Sequence, residues 1–306
     1  MRKFFANIIS AFFKDAGKRH RVRNILSFGL ANYCVAKIRF NRTERKLKFR
    51  HKLALCAIAK NEGAYFKEWL EFHHMMGVEK FYIYDNESTD NTRSVLTPYM
   101  KTGLVEYTYW PGQRVQLQAY WDCIRKHKYD TKWLTIIDLD EFLVPVRDRT
   151  IPEYLDGLPE NTSQVLVGWA MYGSSGHDKK PEGLVIENFK TRAAENNFKL
   201  PGPAHKSIVN PRMVIATSCH DQGTLGGGTV VRECDGRISD WKIRCNHYHC
   251  KSWEEYARRA PRGTGRGGVA HGAKKYTREF FDNCDHNEVK DPLMDQYIPL
   301  LKKRLS

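Results

Sequence analysis

Two carboxylates two residues apart, Asp138 and Asp140, close an apolar, β-branched run at residues 133–137. In an extended backbone residues i and i+2 share a face, so the pair would present two hard oxygen ligands while Leu139 turns away. That arrangement suits a divalent cation holding a diphosphate. Acids at a strand end are equally ordinary in a turn, so the pair gains weight only from what else reaches the same edge. Lys60, Asn61 and Glu62 follow the apolar run 53–59 directly, and Asp85 closes the run 78–84. Further along, Lys206 stands near the start of a strand-like stretch, and alternation over 243–249 puts Cys245, His247 and His249 on one face.

The elements that must carry these residues alternate. Buried-strand runs at 53–59, 78–84, 104–110 and 133–138 are separated by helical patterns, the clearest having Tyr65, Trp69, Phe72 and Met76 at three- and four-residue intervals before Gly77. Strand and helix in alternation predict an α/β fold with a mostly parallel sheet flanked by helices. Ligands in such sheets sit beyond the carboxyl ends of the strands, where Lys60–Glu62, Asp85 and Asp138/Asp140 all fall. After about residue 145 the alternation fades into a smaller mixed part. Short strands are expected at 164–168, 184–190 and 200–209, and a mobile Gly-rich loop at 221–228. That loop lacks the P-loop lysine. A helix is expected over 252–259, then a basic glycine loop at 261–268 that could close over a phosphate.

With 306 residues the chain can bury one large core, and 50 basic against 35 acidic residues give a formal charge of +15, which implies an anionic partner. Residues 1–50 form a strongly basic arm. Its apolar run 4–13 is too short for the ~20 residues that span a bilayer. It reads either as an interfacial helix on an anionic membrane or as a loose basic arm. No helix-turn-helix, zinc-finger or RNA-motif signature accompanies the charge, so specific nucleic-acid binding is not expected. The eight cysteines include no Cys-x-x-Cys pair, and reduced thiols in a cytosolic setting, at most peripheral on the inner membrane face, are expected. A zinc reading of Cys219, His220, Cys234, Cys245, His247, His249 and Cys250 matches no standard spacing.

Five motifs in order, at 58–62, 84–90, 133–142, 205–208 and 246–252, resemble those of GT-A glycosyltransferases, and most closely bacterial glycosyltransferase family 2-like and family 92-like proteins. The resemblance spans about residues 53–263 and implies three parts: an arm (1–50), a GT-A domain (51–265) and a C-terminal helical tail (266–306). It implies a UDP-sugar donor, a glycan or lipid-linked acceptor, and an inverting transfer in polysaccharide synthesis. Asp85 is similar to the acid that contacts the base, although Asn86 and Glu87 replace its usual neighbours. Asp140 would bind the metal directly, Asp138 the ribose or a metal-bound water, and His247 would complete the coordination. An imidazole ligand favours Mn2+ over Mg2+. Lys206 looks like a phosphate or acceptor contact, and Lys60, Asn61 and Glu62 line the donor site. The acceptor's proton needs a carboxylate base. Asp221 is preferred over Glu195 and Glu141, because strand alternation would turn Glu141 away from Asp140. A basic nucleic-acid- or membrane-binding protein without catalysis is the competing expectation.

Overall fold

The structure, a computed structural model, describes residues 2–195, 204–261 and 275–306. Its first sheet strands follow the alternation. β1 (His51–Ala59), β2 (Lys80–Asp85), β3 (Val105–Tyr109) and β4 (Thr131–Ile136) are mutually parallel in the order β3-β2-β1-β4. Three helices make the crossovers, which we number after the three arm helices α1 (Arg2–Ala11), α2 (Ala16–Phe28) and α3 (Leu30–Thr43): α4 (Gly63–Met75), α5 (Thr92–Lys101) and α6 (Gln116–His127). Strands covered on both faces must be apolar throughout, and Leu53 to Ala57 are all fully buried.

Helix α4 buries Phe66, Trp69, Leu70, Phe72 and His73 against this sheet. It ends at Gly77, whose φ of +94° suits a residue without Cβ. His73 is buried, with Nδ1 2.8 Å from the Trp69 carbonyl and Nε2 accepting from the Leu143 amide at 3.1 Å. Burial depresses its pKa to about 3, so it is a neutral packing group.

After β4 the sheet turns mixed. β5 (Glu141–Pro145) is followed by α7 (Ile151–Asp156) and β6 (Thr162–Met171), a ten-residue strand where a shorter one was expected. β8 (His205–Val209) lies antiparallel between β4 and β6. The other edge of β6 carries β11 (Thr229–Glu233) along its first half and β12 (Ile243–His247) along its second. β5 closes the order antiparallel to β12. The result is a mixed, mostly parallel sheet flanked by helices.

Two local expectations are corrected. Residues 184–190 hold a short helix, α8 (Val185–Asn188), not a strand. The Glu68 carboxylate, reaching over from α4, accepts from the Val185 and Ile186 amides at 2.8 and 3.0 Å. A cap supplied from another helix leaves no local signal. Burial pushes Glu68 up to about 7, against the pull of those two amides. The glycine-rich loop at 221–228 is held in place. β10 (Gly223–Thr224) pairs with β9 (Val214–Ala216), Leu225 is buried, and its carbonyl accepts from the Tyr33 hydroxyl at 2.6 Å.

That last bond belongs to the arm, which docks on the domain. Ile25, Phe28, Tyr33, Ala36 and Phe40 cover Met213, Ile215 and Leu225. The Arg212 guanidinium grips Glu44 through two nitrogens at 2.7 and 2.8 Å. The C-terminal residues also pack inward. α9 (Trp253–Ala257) touches α10 (Arg278–Cys284), β13 (Val289–Lys290) pairs with β7 (Thr191–Arg192), and α11 (Ile298–Leu305) lies on α4 with Leu301 in the main core. Residues 262–268 of the expected glycine loop and the start of the expected tail lie outside the described residues.

Candidate active site

The Asp138–Asp140 segment is a turn rather than a strand end. β4 stops at Ile136, and the Glu141 amide bonds back to the Asp138 carbonyl at 3.1 Å. Two buried groups clamp it from below. The Trp69 indole donates to the carbonyls of Asp138 and Glu141 at 3.2 and 2.9 Å, and the Glu141 carboxylate accepts from the Asp138 amide at 2.9 Å. The turn corrects the expectation that both acids share a face. Asp138 and Asp140 diverge, and Glu141 is fully buried beneath them.

Asp138 reaches Lys206, whose Nζ lies 2.8 Å from Asp138 Oδ2 and 3.3 Å from Glu141 Oε2. Lys206 was expected to contact a phosphate, yet at 1% exposure it is the internal counter-ion of the turn. Burial alone would lower its pKa, but Asp138 and Glu141 hold it well above the usual lysine value. Glu141 is pushed up to about 7 by burial, with Lys206 opposing.

Asp140 reaches the other way, to β12. That strand pairs with β5 so that His247 stands opposite Glu141, and one residue on, the Tyr248 amide donates to the Asp140 carbonyl at 2.8 Å. His247 Nε2 lies 3.7 Å from Asp140 Oδ1 and 4.0 Å from Glu141 Oε1. His249 joins them: ligand atoms of Asp140, His247 and His249 all lie within 4.8 Å of one another. Asp138 is not in this cluster, and among the described residues no cysteine takes part in it. All eight cysteines are unpaired.

Burial would raise the Asp140 pKa, but His247, then Arg259 and Lys251, hold it well below the carboxylate range. Burial, reinforced by Lys275 and Arg259, drives His249 well below the usual histidine value and keeps its ring neutral. Neutral imidazole is the form that ligates metals. His249 Nε2 and His247 Nδ1 are buried with no hydrogen-bond partner among the described residues. Buried polar atoms are normally paired, so the orphaned His249 Nε2 fits an ion better than it fits a packed core, while His247 faces Asp140 through Nε2 rather than its orphaned Nδ1. Two imidazoles and a carboxylate suit Mn2+ and its transition-metal neighbours, whereas Mg2+ prefers oxygen and water.

Sequence reasoning named His247 but set His249 aside, although the two-residue spacing at a strand end carried the signal. Arg259, Lys251 and the burial of Glu141 had none. Arg259 Nη1 lies 3.3 Å from Asp140 Oδ2, and its Nη2 donates to the His249 and Cys250 carbonyls. Lys251, with φ of +51°, turns the chain out of the strand and sets its Nζ 3.5 Å over the Tyr65 ring. Ser252 and Glu255 then form a capping box that starts α9.

The remaining expected residues lie mostly in the loops after β1 and β2. Asp85 ends β2 at 3% exposure, accepting from the Tyr107 hydroxyl at 2.6 Å and the Ser88 amide at 2.9 Å. Asn61, at φ +56°, donates its amide to Ser88 Oγ at 2.9 Å and accepts from the Thr89 amide at 2.7 Å. It stitches the loop after β1 to the loop after β2. Lys60 and Glu62 flank it, Glu62 as the residue preceding α4. Asp221 lies in the loop before β10, within electrostatic reach of His205 and Arg232 rather than in the Asp140 cluster. Its neighbour His220 is 5.5 Å from the Trp169 ring, which is 4.5 Å from His247. Glu195 is exposed on the strand side of the undescribed residues 196–203.

A curled α/β sheet with a carboxylate turn facing two histidines across its edge defines a GT-A type of architecture. Residues 51–264 match Glycosyltransferase family 92, and the chain belongs to that family. A family 92 protein of Oryza sativa subsp. japonica is 25% identical over 213 residues, 67% of this chain and 34% of that protein. The β-1,4-galactosyltransferase galt-1 of Caenorhabditis elegans is 29% identical over 222 residues, 67% of this chain and 49% of that protein. The chain thus spans between a third and a half of the length of these relatives. Among solved structures, S. aureus TarS 1-349 aligns with 12% identity and a TM-score of 0.39, covering 76% of this chain and 71% of that one.

Proposed function

We propose that this chain transfers a hexosyl group, with galactose the first candidate, from a nucleoside diphosphate sugar to a glycan or lipid-linked saccharide. The carrying observation is the cluster of Asp140, His247 and His249 with its two orphaned imidazole nitrogens. These three residues hold a divalent ion, Mn2+ before Mg2+. Such an ion, when bound there, would supply Lewis-acid neutralisation of the charge that grows on the leaving diphosphate. Asp138, fixed by Lys206, is turned to the ribose side. Asp85 and the loops stitched by Asn61, with Lys60 and Glu62, form the nucleoside end. Asp221 is the proposed base of an inverting transfer, on a loop whose His220 packs toward the cluster through Trp169. A panel of nucleotide sugars, UDP-galactose among them, should show slow hydrolysis without acceptor that depends on added Mn2+. Hydrolysis of none, or at equal rates in EDTA, would refute this reading.

A second observation bears on where the reaction takes place. No described helix is long and apolar enough to cross a membrane. The outer face of α3 nevertheless exposes Leu30, Val35 and Ile38 at 60%, 64% and 51%, opposite the docked Tyr33, Ala36 and Phe40. Phe12 is exposed at 82%, and Lys14, Lys18, Arg19 and Lys37 of the same arm are exposed as well. Apolar residues among cations fit the interface of an anionic bilayer. Full-length chain should co-sediment with phosphatidylglycerol vesicles and not with phosphatidylcholine vesicles, and the triple change Leu30→Ser, Val35→Ser, Ile38→Ser should release it with hydrolysis intact. Undiminished sedimentation of the triple variant would exclude this face.

A further inference from the structure

Resting on that reading of the site, we propose that Arg259 is an exchangeable counter-ion. Its guanidinium neutralises Asp140, yields the carboxylate to a divalent cation, and then grips the diphosphate of the donor. Three observations carry this. Arg259 Nη1 lies 3.3 Å from Asp140 Oδ2, on the same carboxylate whose Oδ1 faces His247 at 3.7 Å. A divalent ion on Asp140 would therefore share one carboxylate with a like charge, and like charges so close repel. Secondly, among the described residues the guanidinium pairs with no second carboxylate. Its other partners are the His249 and Cys250 carbonyls and the faces of Tyr256 and Tyr276, at 4.7 and 5.2 Å. Aromatic faces hold a cation without consuming the donors of its fork. Thirdly, Arg259 sits in the turn after α9, so it lies at the end of an element rather than inside one.

The arrangement contrasts with Lys206. That lysine is shared by Asp138 and Glu141 at 2.8 and 3.3 Å, inside the sheet, and is a permanent part of the turn. Arg259 faces a single acid of the cluster at 3.3 Å and carries the planar fork that matches phosphate oxygens. No bond is made or broken in the exchange. Asp140 trades one cation for another, and the displaced one meets the anion that arrives with the metal.

The test is manganese binding by electron paramagnetic resonance on the full chain, alone and with inorganic pyrophosphate, which carries the diphosphate chemistry without a base. Wild type, Arg259→Gln and Arg259→Lys are compared. Arg259→Gln should bind Mn2+ alone more tightly than wild type, by about tenfold, and bind pyrophosphate at saturating Mn2+ about tenfold more weakly. Arg259→Lys, which keeps the charge and loses the fork, should match wild type for Mn2+ and still lose pyrophosphate affinity. A purely structural arginine would shift both affinities the same way. Weaker Mn2+ binding in Arg259→Gln, or unchanged pyrophosphate binding in both variants, overturns the inference and leaves the metal site standing. Absence of Mn2+ binding in wild type overturns the metal site as well.

Discussion

Asp140→Ala will lose Mn2+-dependent nucleotide-sugar hydrolysis by about 10^3-fold. Lewis-acid stabilisation of a leaving diphosphate amounts to several kcal/mol, and each ~1.4 kcal/mol is a factor of ten. Asp140 is the one carboxylate of the cluster, so alanine leaves two imidazoles and no anionic ligand. The change is not expected to unfold the protein. It removes a buried charge together with its need for His247 and Arg259, and the turn stays clamped by Trp69 and Glu141. Rates in saturating donor with titrated Mn2+ check this. Asp138→Ala should behave differently, weakening donor binding while leaving Mn2+ affinity within a few-fold, because its carboxylate answers to Lys206.

Lys206→Met will destabilise the fold by about 3 kcal/mol, since removing one partner of a buried ion pair strands the other. The stranded group is Glu141, fully buried, with Oε1 already without a hydrogen-bond partner among the described residues. The sign of the pH dependence follows from the shifts. Lys206 has a pKa raised well above its unfolded value, so its contribution is complete below about pH 10.5 and is lost only as pH climbs through the higher folded value. In Lys206→Met the Glu141 pKa, already raised to about 7, loses the cation that held it down. Glu141 then takes up a proton on folding, and the deficit shrinks as pH falls from 8 toward 5. Urea unfolding at pH 8 and pH 5.5 checks both statements. A deficit that grows on acidification would contradict the assignment of Lys206 as the counter-ion of the turn.

The parallel half of the sheet was legible because strands such as β1 are largely apolar runs and helices such as α4 follow a three-four repeat, and both signals are local. The convergence of Lys60–Glu62, Asp85 and Asp138/Asp140 on one edge followed from that alternation alone. What failed depended on contacts distant in sequence. Strand periodicity put Asp138 and Asp140 on one face, but Glu141 and Trp69, 72 residues apart, fold the segment into a turn. α8 owes its start to Glu68, 117 residues away from Val185. Lys206 looked like a phosphate or acceptor contact because no pattern near residue 206 reports the two carboxylates that wait for it inside. His249 was the nearest miss. Its spacing from His247 was visible, but its approach to Asp140 depends on the pairing of β12 with β5, which residue types alone do not specify.

The central claim is that Asp140, His247 and His249 together hold the ion, and pulsed electron paramagnetic resonance of bound Mn2+ tests it most directly. With wild-type chain and UDP, two imidazole nitrogens should couple to the Mn2+ spin, one should disappear in His249→Ala, and both should persist in Asp138→Asn. An all-oxygen Mn2+ environment, or a nitrogen count that His249→Ala leaves unchanged, would contradict the three-residue site.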